Sequence, residues 1–298
     1  MSSASSSGIG LRIALGTAQF GLPYGISNAR GQITQDEGRA IIAQARSAGI
    51  HTIDTAIAYG NSEASLGELD VSGWQIITKL PEMPVSGDTV ADWVAAQLDG
   101  SLQRLRTDSV HGLLLHRPAQ LLGRDGQALY HALLAEREAG RVGKIGISVY
   151  YPAELEQMPP SMKFDIVQAP FNVLDTRMAR SGWAARLQDA GCELHVRSIF
   201  LQGLLLMPRP ARPAYFSRWN TLWAGWERWL QDTGLSPLQA CVRYALNAPG
   251  IDKVVVGVDS AEHLAEILAA ADGEMPPLPA SLHTDDTALL NPALWNRS

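Results

Sequence analysis

Short apolar segments alternate with amphipathic segments along nearly the whole chain, and this alternation is what most constrains its fold. Most of the apolar segments are rich in Ile, Val and Leu and show little polar alternation, as strands buried on both faces do. Stretches with helical spacing separate them, which is typical of a parallel sheet. The predicted strands are Arg12–Thr17, Ile50–Asp54, Trp74–Leu80, Val110–His116, Lys144–Val149, Phe164–Gln168, Glu193–Ile199 and Asp252–Gly257.

Capping residues and glycines mark the ends of several predicted helices. The segment TQDE that begins at Thr34 is a capping box, and Gly49 ends the helix that follows it. The predicted helices are 38–48, Asp88–Leu105, Asp125–Ala139, one that begins at Ser236-Pro237, and 261–271 behind the N-cap Ser260.

Eight β units, most of them followed by a helix, favour a closed parallel barrel over an open sheet. A length of 298 residues fits one such domain. Neither a GxGxxG fingerprint nor a GxxxxGK[ST] loop occurs, so a Rossmann or P-loop fold loses its main support. We predict a single α/β domain, a (β/α)8 TIM barrel over 9–298, with a flexible tail over 1–8 and a C-terminal tail from about residue 275.

Two features depart from the repeating pattern. The segment Phe200–Arg218 contains three prolines and is too long for a plain βα loop, and long loops are often functional. The tryptophans Trp219, Trp223, Trp226 and Trp229 recur at helical spacing. This stripe predicts packing in a core or helix seam, with cover of the active-site mouth as the alternative.

Composition excludes several classes of function. The formal net charge is −6 and the sequence pI is about 5.6, so we expect no nucleic-acid partner. No uninterrupted apolar run approaches the roughly 20 residues of a membrane-spanning helix, so we expect no membrane association. Cys192 and Cys241 form no CxxC pair or Cys/His cluster, which predicts neither a zinc site nor a disulfide framework. The Ser-rich segment Met1–Gly8 lacks the features of a signal peptide, so we expect a cytoplasmic protein.

Four polar side chains follow three neighbouring predicted strands. Asp54 ends the second strand and Tyr59 lies in the loop after it, Lys79 lies near the end of the third strand, and His116 ends the fourth. Working residues of a parallel barrel lie at these carboxyl ends, and adjacent strands are only about 5 Å apart. We therefore expect the four side chains to converge on one spot.

The residue types suggest a mechanism. A lysine beside a tyrosine favours the phenolate and so is expected to lower the pKa of Tyr59, while Asp54 keeps Lys79 charged and in place. Tyr59 then suits the role of a general acid that protonates a carbonyl oxygen, with His116 donating a hydrogen bond to that oxygen. One histidine and one aspartate do not make a zinc site, and no metal is expected.

The motifs around these residues resemble the aldo-keto reductases, and particularly the bacterial branch related to aryl-alcohol dehydrogenases. The similarity runs in order from about Leu15 to Leu268. The motifs are LGTAQFG from Leu15, DTAIAYGNSE from Asp54, IITK ending at Lys79, LLLHRP around His116, GRVGKIGIS from Gly140 and VVGVDS ending at Ser260. The resemblance implies a (β/α)8 barrel that reduces aldehydes or ketones with NADPH or NADH. It also implies the catalytic tetrad Asp54, Tyr59, Lys79 and His116.

The resemblance also implies the residues that contact the cofactor and the substrate. Three positions differ from the family's usual pattern. Val149 and Ile267 each replace an asparagine, and Arg197 replaces an aromatic residue that stacks on the nicotinamide. A guanidinium can also stack on a flat ring. Phe20 and Tyr24 are expected to be walls of the substrate pocket. The expected cofactor contacts are Gly16, Thr17, Asp54, Ser148, Gln168, Arg197, Ser198, Phe200, Gln202, Gly203, Gly257, Asp259, Ser260, His263 and Glu266.

The resemblance favours NADPH as the cofactor, with NADH as the alternative. The segment Val256–Leu264 offers no lysine or arginine for a 2′-phosphate, and Asp259 would either repel that phosphate or accept a hydrogen bond from a 2′-hydroxyl. The expected partner is a small carbonyl compound, and the expected state is a monomer or weak dimer.

Two other functions are open at this point. One is a Schiff-base lyase with Lys79 as the nucleophile, which barrels also support. The other is a redox sensor or partner-binding module that holds the cofactor with negligible turnover.

Overall fold

Eight parallel strands close into a barrel in the computed structural model, which describes residues 6–26, 28, 30–84 and 89–295. Each strand pairs with its neighbours in chain order, and β1 closes the barrel by pairing with β8. The strands are β1 Ile13–Gly16, β2 Thr52–Asp54, β3 Gln75–Leu80, β4 Val110–Leu115, β5 Val142–Ser148, β6 Ile166–Pro170, β7 Glu193–Arg197 and β8 Lys253–Gly257. The predicted single α/β domain with a (β/α)8 barrel is confirmed.

Helices alternate with the strands and surround the barrel. The capping box of Thr34 and Glu37 is present, and Ser236 and Ser260 both accept a hydrogen bond from a backbone N–H in the first turn of their helices. The helices are α1 Ser6–Arg12, α2 Ala18–Gly21, α3 Gln35–Ser47, α4 Ser62–Glu68, α5 Val90–Leu105, α6 Gly126–Glu138, α7 Pro152–Gln157, α8 Arg177–Arg180, α9 Trp183–Asp189, α10 Asn220–Thr233, α11 Pro237–Asn247, α12 Ala261–Ala270 and α13 Thr287–Leu290. Short 3₁₀ turns cover Pro118–Leu122, Leu204–Leu206, Arg209–Ala211, Ala214–Trp219, Ala280–Leu282 and Pro292–Leu294.

The N-terminal region differs from the expectation of a tail over 1–8. Helix α1 begins at Ser6, and Arg12, predicted to begin the first strand, is the last residue of this helix. The Arg12 guanidinium donates to the carbonyl oxygens of Leu246 and Ile251, which anchors the helix near the start of β8. Residues 1–5 of the predicted tail, and Asp88 at the predicted start of α5, lie outside the described residues.

Two main hydrophobic clusters hold the fold together. The barrel cluster joins the strands to the surrounding helices and contains residues such as Leu98, Ile145 and Val254. A smaller group inside the barrel consists of Ile77, Leu114 and Ile166. These clusters leave the carboxyl ends of the strands free to carry polar side chains.

A second cluster, here called the outer cluster, contains the tryptophan-rich helix α10. It comprises the buried residues Val173, Leu174, Leu201, Leu204, Leu205, Phe216, Trp223, Trp226, Trp229, Ala240, Cys241, Leu282, Leu289, Leu290 and Trp295. The rings of Trp226 and Trp229 stack with their centroids 5.6 Å apart. The C-terminal tail and the segment 200–218 therefore pack against α10 rather than extending into solvent.

Within the part of the chain that the structure describes, no helix has the length and apolar character needed to span a bilayer.

Candidate active site

Asp54, Tyr59, Lys79 and His116 meet at the carboxyl ends of β2, β3 and β4. Lys79 is fully buried, and its ammonium group donates to both carboxylate oxygens of Asp54 at 2.7 Å and to the carbonyl oxygen of Thr55 at 3.0 Å. The Lys79 Nζ lies 5.4 Å from the ring centre of Tyr59. The Tyr59 and His116 rings meet edge to face with their centres 5.9 Å apart.

A tight turn after β2 positions Tyr59. The backbone N–H of Tyr59 donates to the carbonyl of Ala56, and the N–H of Ser62 donates to the carbonyl of Tyr59. Gly21 of helix α2 packs so closely on this turn that an added Cβ would lie 1.8 Å from the Tyr59 carbonyl oxygen. Only glycine permits that approach, so α2 and the turn hold each other in place.

Burial and nearby charges set the protonation of the site. Burial, followed by the negative charge of Asp54, raises the pKa of Tyr59 well above its ordinary value. The expectation of a lowered Tyr59 pKa is therefore wrong, because burial and the charge of Asp54 both act in the opposite direction. Burial also lowers the pKa of Lys79. Burial, then the charges of Lys79 and Arg197, lowers the pKa of His116 to about 3, so this imidazole is neutral near pH 7.

A cavity of about 530 Å³ opens beside Tyr59. Two polar atoms in its walls, Oε1 of Gln202 and Oδ1 of Asp259, are buried and have no hydrogen-bond partner among the described residues. Buried polar atoms are normally paired, so a ligand with donor groups suits these walls. The predicted site residues that border the cavity are Gly16, Thr17, Tyr24, Asp54, Tyr59, Arg197, Ser198, Phe200, Gln202, Gly203, Gly257, Asp259, His263 and Glu266.

Three predicted cofactor contacts and two tetrad residues do not border this cavity. Gln168 is fully buried behind Asp54, to which its amide donates at 2.6 Å, and Ser148 lies 3.5 Å from the Gln168 side chain. Ser260 caps helix α12 through its hydroxyl. The two tetrad residues away from the wall are Lys79 and His116.

Phe20 also lies away from the cavity, although it was expected to be a pocket wall. Its side chain is 1% exposed and belongs to the barrel cluster. An added Cβ on Gly38 would lie 3.3 Å from the Phe20 ring, so the ring packs against helix α3. The short helix α2 turns Phe20 inward and leaves Tyr24, which is 40% exposed, at the rim.

Arg197 is the basic side chain on the wall nearest the tetrad. Its guanidinium lies 4.6 Å from the ring centre of Tyr150 and donates to the carbonyl of Val149. These contacts hold the guanidinium against the segment that follows β5 and leave it bordering the cavity. The arrangement is compatible with the expected stacking of Arg197 on a flat ring.

One contact across the cavity was not predicted from the sequence. The loop after β1 meets the loop after β7, since the N–H of Ile26 donates to the Gln202 carbonyl and the Gln202 amide donates to the Tyr24 hydroxyl. Gln19 was also missed; an added Cβ on Gly257 would lie 2.7 Å from its amide. Its position inside the LGTAQFG motif was the available signal.

Known structures resemble this chain over most of its length. An aldo-keto reductase from Bacillus halodurans, solved in its holo form, matches with a TM-score of 0.70 and 19% sequence identity, covering 91% of this chain and 89% of that one. A structure assigned to the aldo-keto reductases from Pseudomonas aeruginosa matches with a TM-score of 0.64 and 24% identity, covering 87% of this chain and 88% of that one. At these identities the likeness supports the barrel fold.

A search of curated proteins finds no match. The sequence profile of the Aldo/keto reductase family, in contrast, matches residues 12–280. That range includes all eight strands, the four side chains at their ends and the walls of the cavity. The chain belongs to the aldo/keto reductase family, whose members are oxidoreductases that act on carbonyl compounds.

Proposed function

We propose that this protein reduces an aldehyde or ketone to an alcohol with a reduced nicotinamide dinucleotide, and that Tyr59 is the general acid. The observation that carries the proposal is the cluster of Asp54, Tyr59, Lys79 and His116 at one side of a cavity of about 530 Å³. The cluster contains a proton donor, a neutral hydrogen-bond donor and a buried ion pair. These groups suit a reaction in which negative charge develops on an oxygen.

The cavity fits a dinucleotide cofactor. The unpartnered atoms of Gln202 and Asp259 can accept hydrogen bonds from a ligand, and Gly16 and Gly257 also border the cavity. Arg197 can cover one face of a planar ring. When bound, the cofactor supplies the hydride that reaches the carbonyl carbon.

The protein's own groups handle the oxygen. His116 is neutral, so one ring nitrogen can donate a hydrogen bond to the carbonyl without adding a positive charge. Tyr59 keeps its proton in the resting site and transfers it as the oxygen gains negative charge. Lys79 stabilises the phenolate left behind, while Asp54 fixes Lys79 in position.

The geometry of Lys79 argues against a Schiff-base lyase. The ammonium group has three protons, and Asp54 and Thr55 provide an acceptor for each of them. A nucleophilic lysine must lose a proton and reach a carbonyl, whereas this side chain is fully buried and held by a carboxylate.

The test is steady-state oxidation of NADH and of NADPH by the purified protein with a reactive aromatic aldehyde. Tyr59→Phe removes the proton donor and keeps the ring, so we expect turnover to fall by about 10² to 10⁴. Cofactor binding, measured separately by calorimetry, should stay within a few-fold of the wild type.

Other results would overturn this assignment. Unchanged turnover in Tyr59→Phe would exclude Tyr59 as the acid. Cofactor binding without turnover on any of a panel of aldehydes and ketones would favour a sensor.

The cytoplasmic location and the monomer or weak-dimer state stay predictions.

A further inference from the structure

One end of the cavity is acidic. Asp259 follows strand β8 and precedes the N-cap of helix α12, and it borders the cavity together with Glu266, which lies farther along the same helix. The Oδ1 atom of Asp259 is buried and has no hydrogen-bond partner among the described residues. A buried carboxylate oxygen without a donor is costly, so this end of the cavity is suited to a ligand that brings one.

Few positive charges balance this end. Among the residues that the structure describes, the basic side chains on the cavity wall are Arg197 and His263, and Arg197 lies beside the tetrad instead. Arg30 is near enough to influence Asp259, but its exposed side chain pairs with Glu37 at 3.4 Å. No lysine is among the wall residues described. Among the described wall residues, the two carboxylates of Asp259 and Glu266 therefore outnumber the one basic side chain at this end, that of His263.

This charge balance affects the binding of NADH and of NADPH differently. NADPH differs from NADH by a phosphate on the 2′-oxygen of the adenosine ribose, and such a phosphate carries about −1.5 to −2 charges near pH 7. A helix N-terminus ordinarily attracts phosphate. At helix α12, however, the carboxylate of Asp259 lies directly before the helix N-terminus. The ribose of NADH instead presents hydroxyl groups, and a hydroxyl can donate to a carboxylate oxygen.

We propose that Asp259 accepts a hydrogen bond from a ribose hydroxyl of NADH and repels the 2′-phosphate of NADPH, so that this reductase selects NADH. The inference rests on the proposed function, because it requires the cavity to hold a nicotinamide dinucleotide. It reverses the order of cofactors that the family resemblance implies.

Binding measured without a carbonyl substrate tests the inference directly. Isothermal titration calorimetry of the purified full chain with NADH and with NADPH compares the two affinities. We expect NADH to bind about ten-fold or more tightly, because the carboxylate of Asp259 repels the like charge of the 2′-phosphate. In Asp259→Ser the preference should fall by about ten-fold, with weaker NADH binding and stronger NADPH binding.

Helix α12 also provides a matched control. Glu262 is an exposed carboxylate in the first turn of the same helix and does not border the cavity. Glu262→Gln removes the same charge from the same helix end and should leave the NADH preference unchanged. An equal effect of Glu262→Gln and Asp259→Ser would mean that general charge, not the Asp259 contact, sets the preference, and would overturn the assignment.

The remaining outcomes separate this inference from the proposed function. Equal or tighter binding of NADPH by the wild type would overturn NADH selection and leave the reductase function standing. A preference for NADH that persists in Asp259→Ser would overturn the role of Asp259. Failure to bind either dinucleotide would overturn the proposed cofactor use itself.

Discussion

In the proposed reaction, His116 contacts the carbonyl oxygen as a neutral hydrogen-bond donor rather than as an acid. Burial and the charges of Lys79 and Arg197 place its pKa at about 3, so a charged imidazole forms only in strong acid. The proposed roles of proton donor and hydrogen-bond donor then belong to two different side chains. In the proposed reaction, Tyr59 transfers the proton and His116 orients the oxygen that receives it.

The pH dependence of turnover tests this division. Because the His116 pKa is lowered to about 3 and the Tyr59 pKa is raised, His116 stays neutral and Tyr59 stays protonated between about pH 5 and pH 9. We expect the hydride-transfer rate, measured by single-turnover absorbance at saturating cofactor, to be flat across this range. A rise or fall centred near pH 6.5 that disappears in His116→Gln would contradict a neutral His116.

The convergence of Asp54, Tyr59, Lys79 and His116 could be predicted from the sequence because strand ends in a barrel converge, but the electrostatics of these side chains could not. The raised pKa of Tyr59 depends on the depth of its burial and on the distances to Asp54 and Lys79, which no spacing along the chain reports. For Phe20, the direction in which the side chain points could not be predicted either. A position after a strand does not reveal that a four-residue helix turns the ring toward α3.

Among the elements, helix α4 is tied to its neighbours by one buried carboxylate. Glu63 is 2% exposed and accepts hydrogen bonds from Thr78 of β3 at 2.6 Å and from the Arg104 Nε of α5 at 2.8 Å. Ser101 donates to the same carboxylate at 3.3 Å. Because α4 directly follows the turn that carries Tyr59, this network also stabilises that turn.

Removing this carboxylate should destabilise the protein strongly. Glu63→Ala leaves Arg104 and Thr78 without their buried acceptor, so we expect the free energy of unfolding to fall by about 1–3 kcal/mol. Urea unfolding followed by circular dichroism measures the change. Glu68→Ala removes an exposed carboxylate from the same helix and should cost less than about 1 kcal/mol. Equal losses in the two variants would show that burial of Glu63 is not the cause.

Element boundaries were predictable where local signals were strong. The capping residues Thr34, Ser236 and Ser260 mark the observed starts of three helices. The four-residue helices α2 and α8 are too short to show periodicity, and strand β6 continues to Pro170, two residues beyond its predicted end. These features depend on tertiary packing rather than on local preference.

At the scale of the whole molecule, the barrel cluster and the outer cluster stabilise different parts of the chain. The barrel cluster frames the strands that carry the tetrad, and the outer cluster supports the long segment after β7. Phe200 packs against both clusters and also borders the cavity. The cavity is therefore built where the two clusters meet.

Energetic independence of the two clusters is testable with a double-mutant cycle. Ile145→Val in the barrel cluster should cost about 0.5–1.5 kcal/mol, and Leu289→Ala in the outer cluster about 2–5 kcal/mol. Because the two residues belong to different clusters, the double variant should equal the sum of the single variants within about 0.5 kcal/mol in urea unfolding. A coupling energy above about 1 kcal/mol would mean that the clusters behave as one unit.

Such a division bears on how the protein can diverge. The segment after β7 has its own hydrophobic anchor in α10 and the C-terminal tail, so substitutions there can accumulate without loosening the strands beneath Asp54 and Lys79. Related proteins with this arrangement can therefore acquire new carbonyl substrates through changes in the segment after β7. The residues at the strand ends, and with them the reaction chemistry, can stay the same.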